Sequence, residues 1–410
     1  MKRTALWLIF ATTLACAGTS YVSAQESTPR ILTKVIPLHG DHAASAMAVA
    51  STASSNSPPL WNFTTTASRD GMTYTGTMVG RSPFFHGART TYLDTILIPV
   101  KITITNSSNF TTIFDPTHTD PACLPNSTAT AVSLTQESPI LTPTSFTMNG
   151  VDEGTTQYID AFQRASFFSE VSLSGNSYHT MLNLTATVPV VTVAMNSPHG
   201  AVSNASCGTL GVIDMNYFDQ TEVPTILSNL ASQGVGPITL PIFLFYNVVM
   251  TEGPPPQSNP LGTSSCCILG YHSGTISQPN VQLYAVADYD TSGSFNFGAP
   301  TDIAVISHEI GETLDDPSGF NLTPAWGNTG QVQTGCQNNL EVGDPLTGTY
   351  FTPVTMPNGV TYHPQELTFF SWFFGKPSIG AGSLFSDNGT FTSDAGPVCN
   401  AILAKSGPAL

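Results

Sequence analysis

The chain has 410 residues and a net charge of −16, from 11 basic and 27 acidic side chains, and only 9% of it is Asp, Glu, Lys or Arg. That balance argues against nucleic acid and anionic membranes as partners, because both are negatively charged. The 34 Gly and 31 Pro imply many turns, and Ser, Thr and Asn carry the polar surface in place of charges, as suits a β-rich exported protein.

Residues 1–24 read as a secretory signal. Lys2 and Arg3 form the charged start, Ala5 to Ala17 the apolar stretch, and Val22-Ser23-Ala24 the cleavage site before Gln25. The expected location is therefore extracellular or periplasmic. A surface lipoprotein through Cys16 is the weaker reading, because Thr13 stands where an apolar residue is usual. No later stretch is long enough to span a bilayer as a helix. Removing the signal leaves Cys123, Cys207, Cys266, Cys267, Cys336 and Cys399, an even set that suggests disulfides in an oxidising compartment. Adjacent Cys266 and Cys267 are each expected to pair elsewhere.

Residues 25–59 form a low-complexity leader, rich in Ala, Ser and Thr between Ala43 and Pro59. A β-rich region follows over 60–200. In it, Thr91 to Ile104 is strand-like but contains Pro99, as at an edge or bulge. Thr155 to Phe168 has helical spacing, and Val188 to Met195 is a strand candidate. Pro224 to Gln233 is a helix opened by Pro and stopped by Gly234. Ile238 to Met250 reads as one buried strand and Val281 to Ala287 as another. This order predicts an α+β fold, with a metal-site domain over 201–400 and the β-rich part upstream or wrapped around it.

From Ala165 to Gly375 there are 15 Asp or Glu and no Lys or Arg. Carboxylates gathered without cationic side chains must be solvated, protonated or neutralised by a metal ion. Within that span, Asp302 to Pro317 predicts a helix with Thr301 as N-cap. Ile303, Ile306, Ile310 and Leu314 form its apolar stripe, and His308 and Glu312 fall on the other side, facing a cleft. Residues at i and i+4 can reach one ion, so His308 and Glu312 are candidate metal ligands. Glu309, offset beside them, is the candidate general base, as in a zinc hydrolase. The remaining ligand candidates are Glu341, 29 residues after Glu312, and Asp344, which could ligate or hold His308. Zinc is the expected cation. The carboxylate-rich ligand set, with a charge of about −2 to −3, also admits the harder Ca2+.

His-Glu-x-x-Glu at 308–312 resembles a zincin-type metallopeptidase helix with Glu312 in place of the second His. The chain is more closely similar to secreted proteins of the plant phosphate-induced (Exordium-like) type and their bacterial relatives. The matching residues are His308, Glu309, Glu312, Asp316, Pro317, Asn321, Ala325, Trp326, Glu341, Gly343 and Asp344. The resemblance implies secretion and a zincin-like core, and it leaves catalysis open. Three functions are carried forward. One is a secreted zinc metallopeptidase acting on an extracellular peptide or protein substrate. Another is a non-catalytic surface- or wall-associated protein with a structural metal site. A calcium-stabilised wall-binding module is the third. Asp288-x-Asp290-x-Ser292-Gly293 resembles a calcium loop, but Ala299 stands where that loop needs Glu, so a turn is expected. His272 and His363 are read as structural, with His272 able to line the cleft. Phe369 to Phe374 is expected in the core.

Overall fold

Uninterrupted apolar runs such as Leu240-Pro-Ile-Phe-Leu-Phe-Tyr246 must be covered on both faces, and a sheet with apolar layers on each side accommodates them. The computed structural model describes residues 32–35, 57–85, 87–277, 280–295, 301–327, 336–376 and 379–394. The signal and nearly all of the leader lie outside these residues. The upstream strands are β1 (Leu32–Val35), β2 (Leu60–Thr66), β3 (Thr73–Val79), β4 (Gly87–Thr105), β5 (Thr111–Phe114), β6 (Thr144–Met148), β7 (Val151–Thr156), β8 (Asn176–Thr187) and β9 (Val191–Ala194). They are followed by β10 (Gly200–Asn204), β11 (Thr209–Asp214), β12 (Leu240–Tyr246), β13 (Val248–Thr251), β14 (Ile268–Ser277), β15 (Asn280–Tyr289), β16 (Leu322–Gly327) and β17 (Cys336–Asn339). The helices that matter here are α1 (Tyr158–Ser166), α2 (Val223–Leu230), α3 (Ala304–Asp315) and α4 (Phe370–Phe374). The fold is mixed α and β.

One large sheet runs β10-β11-β13-β14-β15-β12-β4-β5, with β8 and β9 pairing β4 and β1 pairing β14. It draws strands from both the 60–200 and 201–400 portions, joined where β4 pairs in parallel with β12. Alternate residues of each strand supply the two cores. Leu97, Ile242, Leu244, Leu283 and Ala285 face the layer holding α1, α3 and α4. Ile98, Val100, Phe243, Phe245, Tyr284 and Val286 face α2 through Ile226, Leu227 and Leu230. Each such aliphatic or aromatic side chain contributes roughly 1.5–3 kcal/mol on burial. The aromatic run 369–374 is buried, as its composition implies.

Three expectations need correction. Pro99 is not on an edge: it lies inside β4, in register with Leu244 of β12. On the other side, β8 pairing ends at Leu97 and β9 pairing begins at Val100, so the missing N–H falls where the neighbouring strand changes. The 238–250 run is two strands, because Asn247 turns the backbone with φ 52° between β12 and β13. Cys266 and Cys267 bond to each other, while Cys123 bonds Cys207. The Cys266–Cys267 peptide is cis, which brings the adjacent Cα atoms to 3.0 Å and lets neighbouring sulfurs meet. The side chain of Cys336, and Cys399, lie outside the described residues.

Candidate metal centre

Helix α3 lies across β14 and β15, and a glycine permits its approach. A Cβ at Gly270 would stand 2.5 Å from Val305 Cγ1 and 2.7 Å from Glu309 Oε1. The helix starts at Ala304 without a side-chain cap, so Thr301 is not the N-cap expected. Thr301 instead gives its carbonyl to the Ala304 N–H. Asp302 accepts the N–H of Ile303 and of His363, and its Oδ2 lies 2.9 Å from His363 Nδ1. His363 is thus part of a structural pair. At the other end, Asp316 accepts N–H groups from Phe320 and Asn321. The Asn321 amide then donates to the carbonyls of Asp315 and Thr77 and accepts the Thr77 N–H, tying the helix end to β3.

The polar side of α3 does not open on a cleft among the described residues. His272, His308, Glu309 and Glu341 are 0% exposed, Glu312 1% and Asp344 3%. The segment from Glu341 to Asp344 closes over it. Gly343 lies against the His308 ring so closely that a Cβ there would stand 2.4 Å from Nδ1. Its N–H and that of Asp344 donate to Glu312 Oε1 at 3.1 and 3.2 Å. A pocket of about 430 Å³ lies elsewhere, between Lys101, Phe114, Asp115 and Tyr246, and shares no lining residue with this cluster.

Within the cluster, His308 Nδ1 lies 3.1 Å from Gln365 Oε1, and Gln365 Nε2 donates to the Gly343 carbonyl at 2.7 Å. That second bond fixes the amide, since its reverse would set two carbonyl oxygens together. His308 therefore donates from Nδ1 and turns Nε2 inward. There Glu312 Oε1 stands at 2.9 Å and Asp344 Oδ1 at 3.6 Å. Nε2 nevertheless has no hydrogen-bond partner: with the proton on Nδ1 it is an acceptor facing carboxylate acceptors. The three donor atoms of His308, Glu312 and Asp344 lie within 4.8 Å of one another.

Glu341 sits on the other side of Glu312. Its Oε1 accepts from Asn339, whose carbonyl in turn takes the Trp326 indole N–H, and its Oε2 has no hydrogen-bond partner. Glu309 Oε1 is likewise without a hydrogen-bond partner. The structure therefore gathers all five residues singled out in the sequence, with Glu312 nearest the His308 nitrogen, Asp344 next, and Glu341 beyond them. It adds two more. His272, on β14, lies 3.4 Å from Glu309 and 3.5 Å from Glu312. Gln365 orients His308. The sequence signal for His272 was its place two residues after Gly270, on the same strand face. A neutral amide such as Gln365 gives no comparable signal.

The electrostatics follow from burial. Burial pushes Glu309 up to about 7, against the pull of His272 and His308. Burial also raises Glu341 well above the carboxylate range, and Glu312, Asp316 and Asp344 add to it. Glu312 goes the other way: burial would raise it, but the two imidazoles hold it down at about 2. Against the same burial penalty, the surrounding carboxylates raise His272 to about 10 and His308 to about 9. The cluster binds protons avidly because it is short of positive charge, and a divalent cation would answer the same need. Three buried orphan atoms, a glycine cradle for the imidazole and a nitrogen–carboxylate donor set all fit a metal ion. No family model, no curated protein and no solved structure matches the chain.

Proposed function

We propose that the protein is an exported metal-dependent hydrolase, a zincin-like zinc metallopeptidase acting on an extracellular peptide or protein. The observation that carries this reading is His308 Nε2: fully buried, without a hydrogen-bond partner, and facing two carboxylates. His308, Glu312 and Asp344 would hold the cation, with Glu341 completing the charge around it. An imidazole nitrogen beside carboxylate oxygens suits Zn2+ better than Ca2+, which takes oxygen ligands. The ion supplies Lewis acidity towards a carbonyl and towards water.

The chain's own residues supply the rest. Gln365 keeps the proton of His308 on Nδ1 and so keeps Nε2 available. Glu309, next to His308 on the helix, receives a proton at Oε1, the oxygen left without a hydrogen-bond partner. With its carboxyl at about 7, it can accept and return that proton near neutral pH. Burial of the whole cluster favours a second reading, in which the cation is structural and the protein is a non-catalytic surface- or wall-associated one. Glu309→Gln separates the two. In a hydrolase it lowers cleavage of an unstructured protein about 10²–10⁴-fold while zinc stays at His308. Wild-type protein that retains zinc but leaves a broad peptide library intact supports the structural reading. Retention of no zinc after dialysis sinks both.

A further inference from the structure

The two oxygens of Glu312 have different neighbours. Oε1 faces His308 and takes the N–H groups of Gly343 and Asp344. Oε2 stands 3.5 Å from His272 Nδ1, and Glu309 Oε2 stands 3.4 Å from the same nitrogen. The other ring nitrogen of His272 is already committed: Nε2 lies 3.0 Å from the Asp316 carbonyl oxygen, which can only accept. Nδ1 therefore turns towards the two carboxylates. A charge-assisted N–H···O bond spans about 2.7–2.9 Å, shorter than either distance. Ligand atoms arranged tetrahedrally around zinc, at bonds of about 2.0–2.2 Å, stand about 3.3–3.6 Å apart, which is the spacing here. The three donor atoms lie within 4.8 Å of one another, and all three residues are buried. Fully buried Glu341 Oε2, without a hydrogen-bond partner, lies 3.9 Å from Nε2 on the other edge of the ring, and so adds negative charge beside this group without belonging to it.

We propose that a second divalent cation binds between His272 Nδ1, Glu309 Oε2 and Glu312 Oε2, with Glu312 shared between it and the cation at His308. The inference rests on the metal-centre reading above and adds a mode of regulation. A cation on Glu309 Oε2 would draw charge from the whole carboxylate and make Oε1 a much weaker base, so the first cation builds the hydrolase and the second silences it. Charge agrees. Glu309, Glu312, Glu341 and Asp344 bring four negative charges when ionised, which two divalent ions match. No Lys or Arg between Ala165 and Gly375 is available to do so.

The test is equilibrium dialysis of the full-length exported protein against Zn2+, with bound metal counted by mass spectrometry. Wild type should bind two equivalents and His272→Asn one, and hydrolysis should peak near one equivalent and fall more than tenfold at two. One equivalent in both proteins overturns the second position and leaves the His308 centre standing. One in wild type and none in His272→Asn also overturns the inference, by placing the sole ion at His272. Two in both puts the extra ion elsewhere and overturns it, as does activity that keeps rising with the second equivalent. None in either protein overturns the metal-centre reading itself. Should His272→Asn fail to fold, Co2+ titration of wild type decides. Magnetic coupling between the first and second equivalents, seen as loss of the electron paramagnetic signal, supports a shared carboxylate; two uncoupled ions refute it.

Discussion

The histidines among the described residues meet carboxylates in two settings. At the periphery, His118–Asp115, His179–Asp160, His199–Asp214 and His363–Asp302 are pairs, with Nδ1 2.8–3.0 Å from a carboxylate oxygen and the imidazoles partly or largely exposed. In the centre, His272 and His308 are fully buried among Glu309, Glu312, Glu341 and Asp344, and the His272 contacts lengthen to 3.4 Å and beyond. A peripheral pair sets one imidazole against one carboxylate. In the centre, carboxylates outnumber imidazoles and no cationic side chain lies in that part of the chain. Stoichiometry, more than the presence of a His–carboxylate contact, marks a site that needs something from outside.

The largest effect should come from removing a central imidazole. His308→Ala should lose zinc at that position and, with it, the stabilisation that bound metal confers, about 4 kcal/mol when zinc is a thousandfold above its Kd. Differential scanning calorimetry with and without chelator should show a large shift for wild type and a much smaller one for this variant. An equal shift in both would erase the distinction between centre and periphery.

Next is pH. His272 and His308 are raised in the metal-free fold to about 10 and about 9, above the ordinary 6.5. The fold therefore binds more protons than the unfolded chain between those limits. The stability these two imidazoles contribute is fully present below pH about 6.5 and is lost as pH rises through 9 and 10. Denaturant unfolding of metal-free protein should show this loss. Zinc affinity should move the opposite way over the same window, because bound zinc displaces those protons.

Gln365→Leu removes the acceptor that fixes the His308 proton while keeping its bulk. Zinc should bind about 10–100-fold more weakly, with the fold retained, as read by competition with a chelating dye. The smallest effect belongs to the periphery. His363→Ala breaks a partly exposed pair and should cost no more than about 1 kcal/mol, with zinc content unchanged.

Much of this contrast was legible in the sequence. His308 and Glu312 announce themselves because a helix brings i and i+4 together, and the long span without Lys or Arg showed the charge deficit. Glu341 and Asp344 followed from their spacing in an acidic turn. The enclosure of the site was not legible. It depends on Gly343 lying flat against an imidazole and on β14 passing beneath the helix, and neither leaves a periodic signature. His272 was read as structural though able to line the cleft, and its contact with Glu309 and Glu312 was not legible, since a strand contributes it from another part of the chain. The Thr301 cap failed because Asp302 is drawn to His363, a tertiary contact that overrides local capping preference. Adjacent cysteines were expected to pair elsewhere, and Pro99 was read as at an edge or bulge, although the gap it needs exists inside the sheet where the neighbouring strand changes.

The supports of the centre are spread along the polypeptide, from Thr77, which grips the end of α3 through Asn321, to Gln365, which aligns the principal imidazole. A clipped chain that keeps His308 and Glu312 but loses Thr77 or Gln365 lacks the parts that aim them. Any cation held there would therefore depend on segments far apart in the chain, and its retention would report that Thr77 and Gln365 have both reached their places.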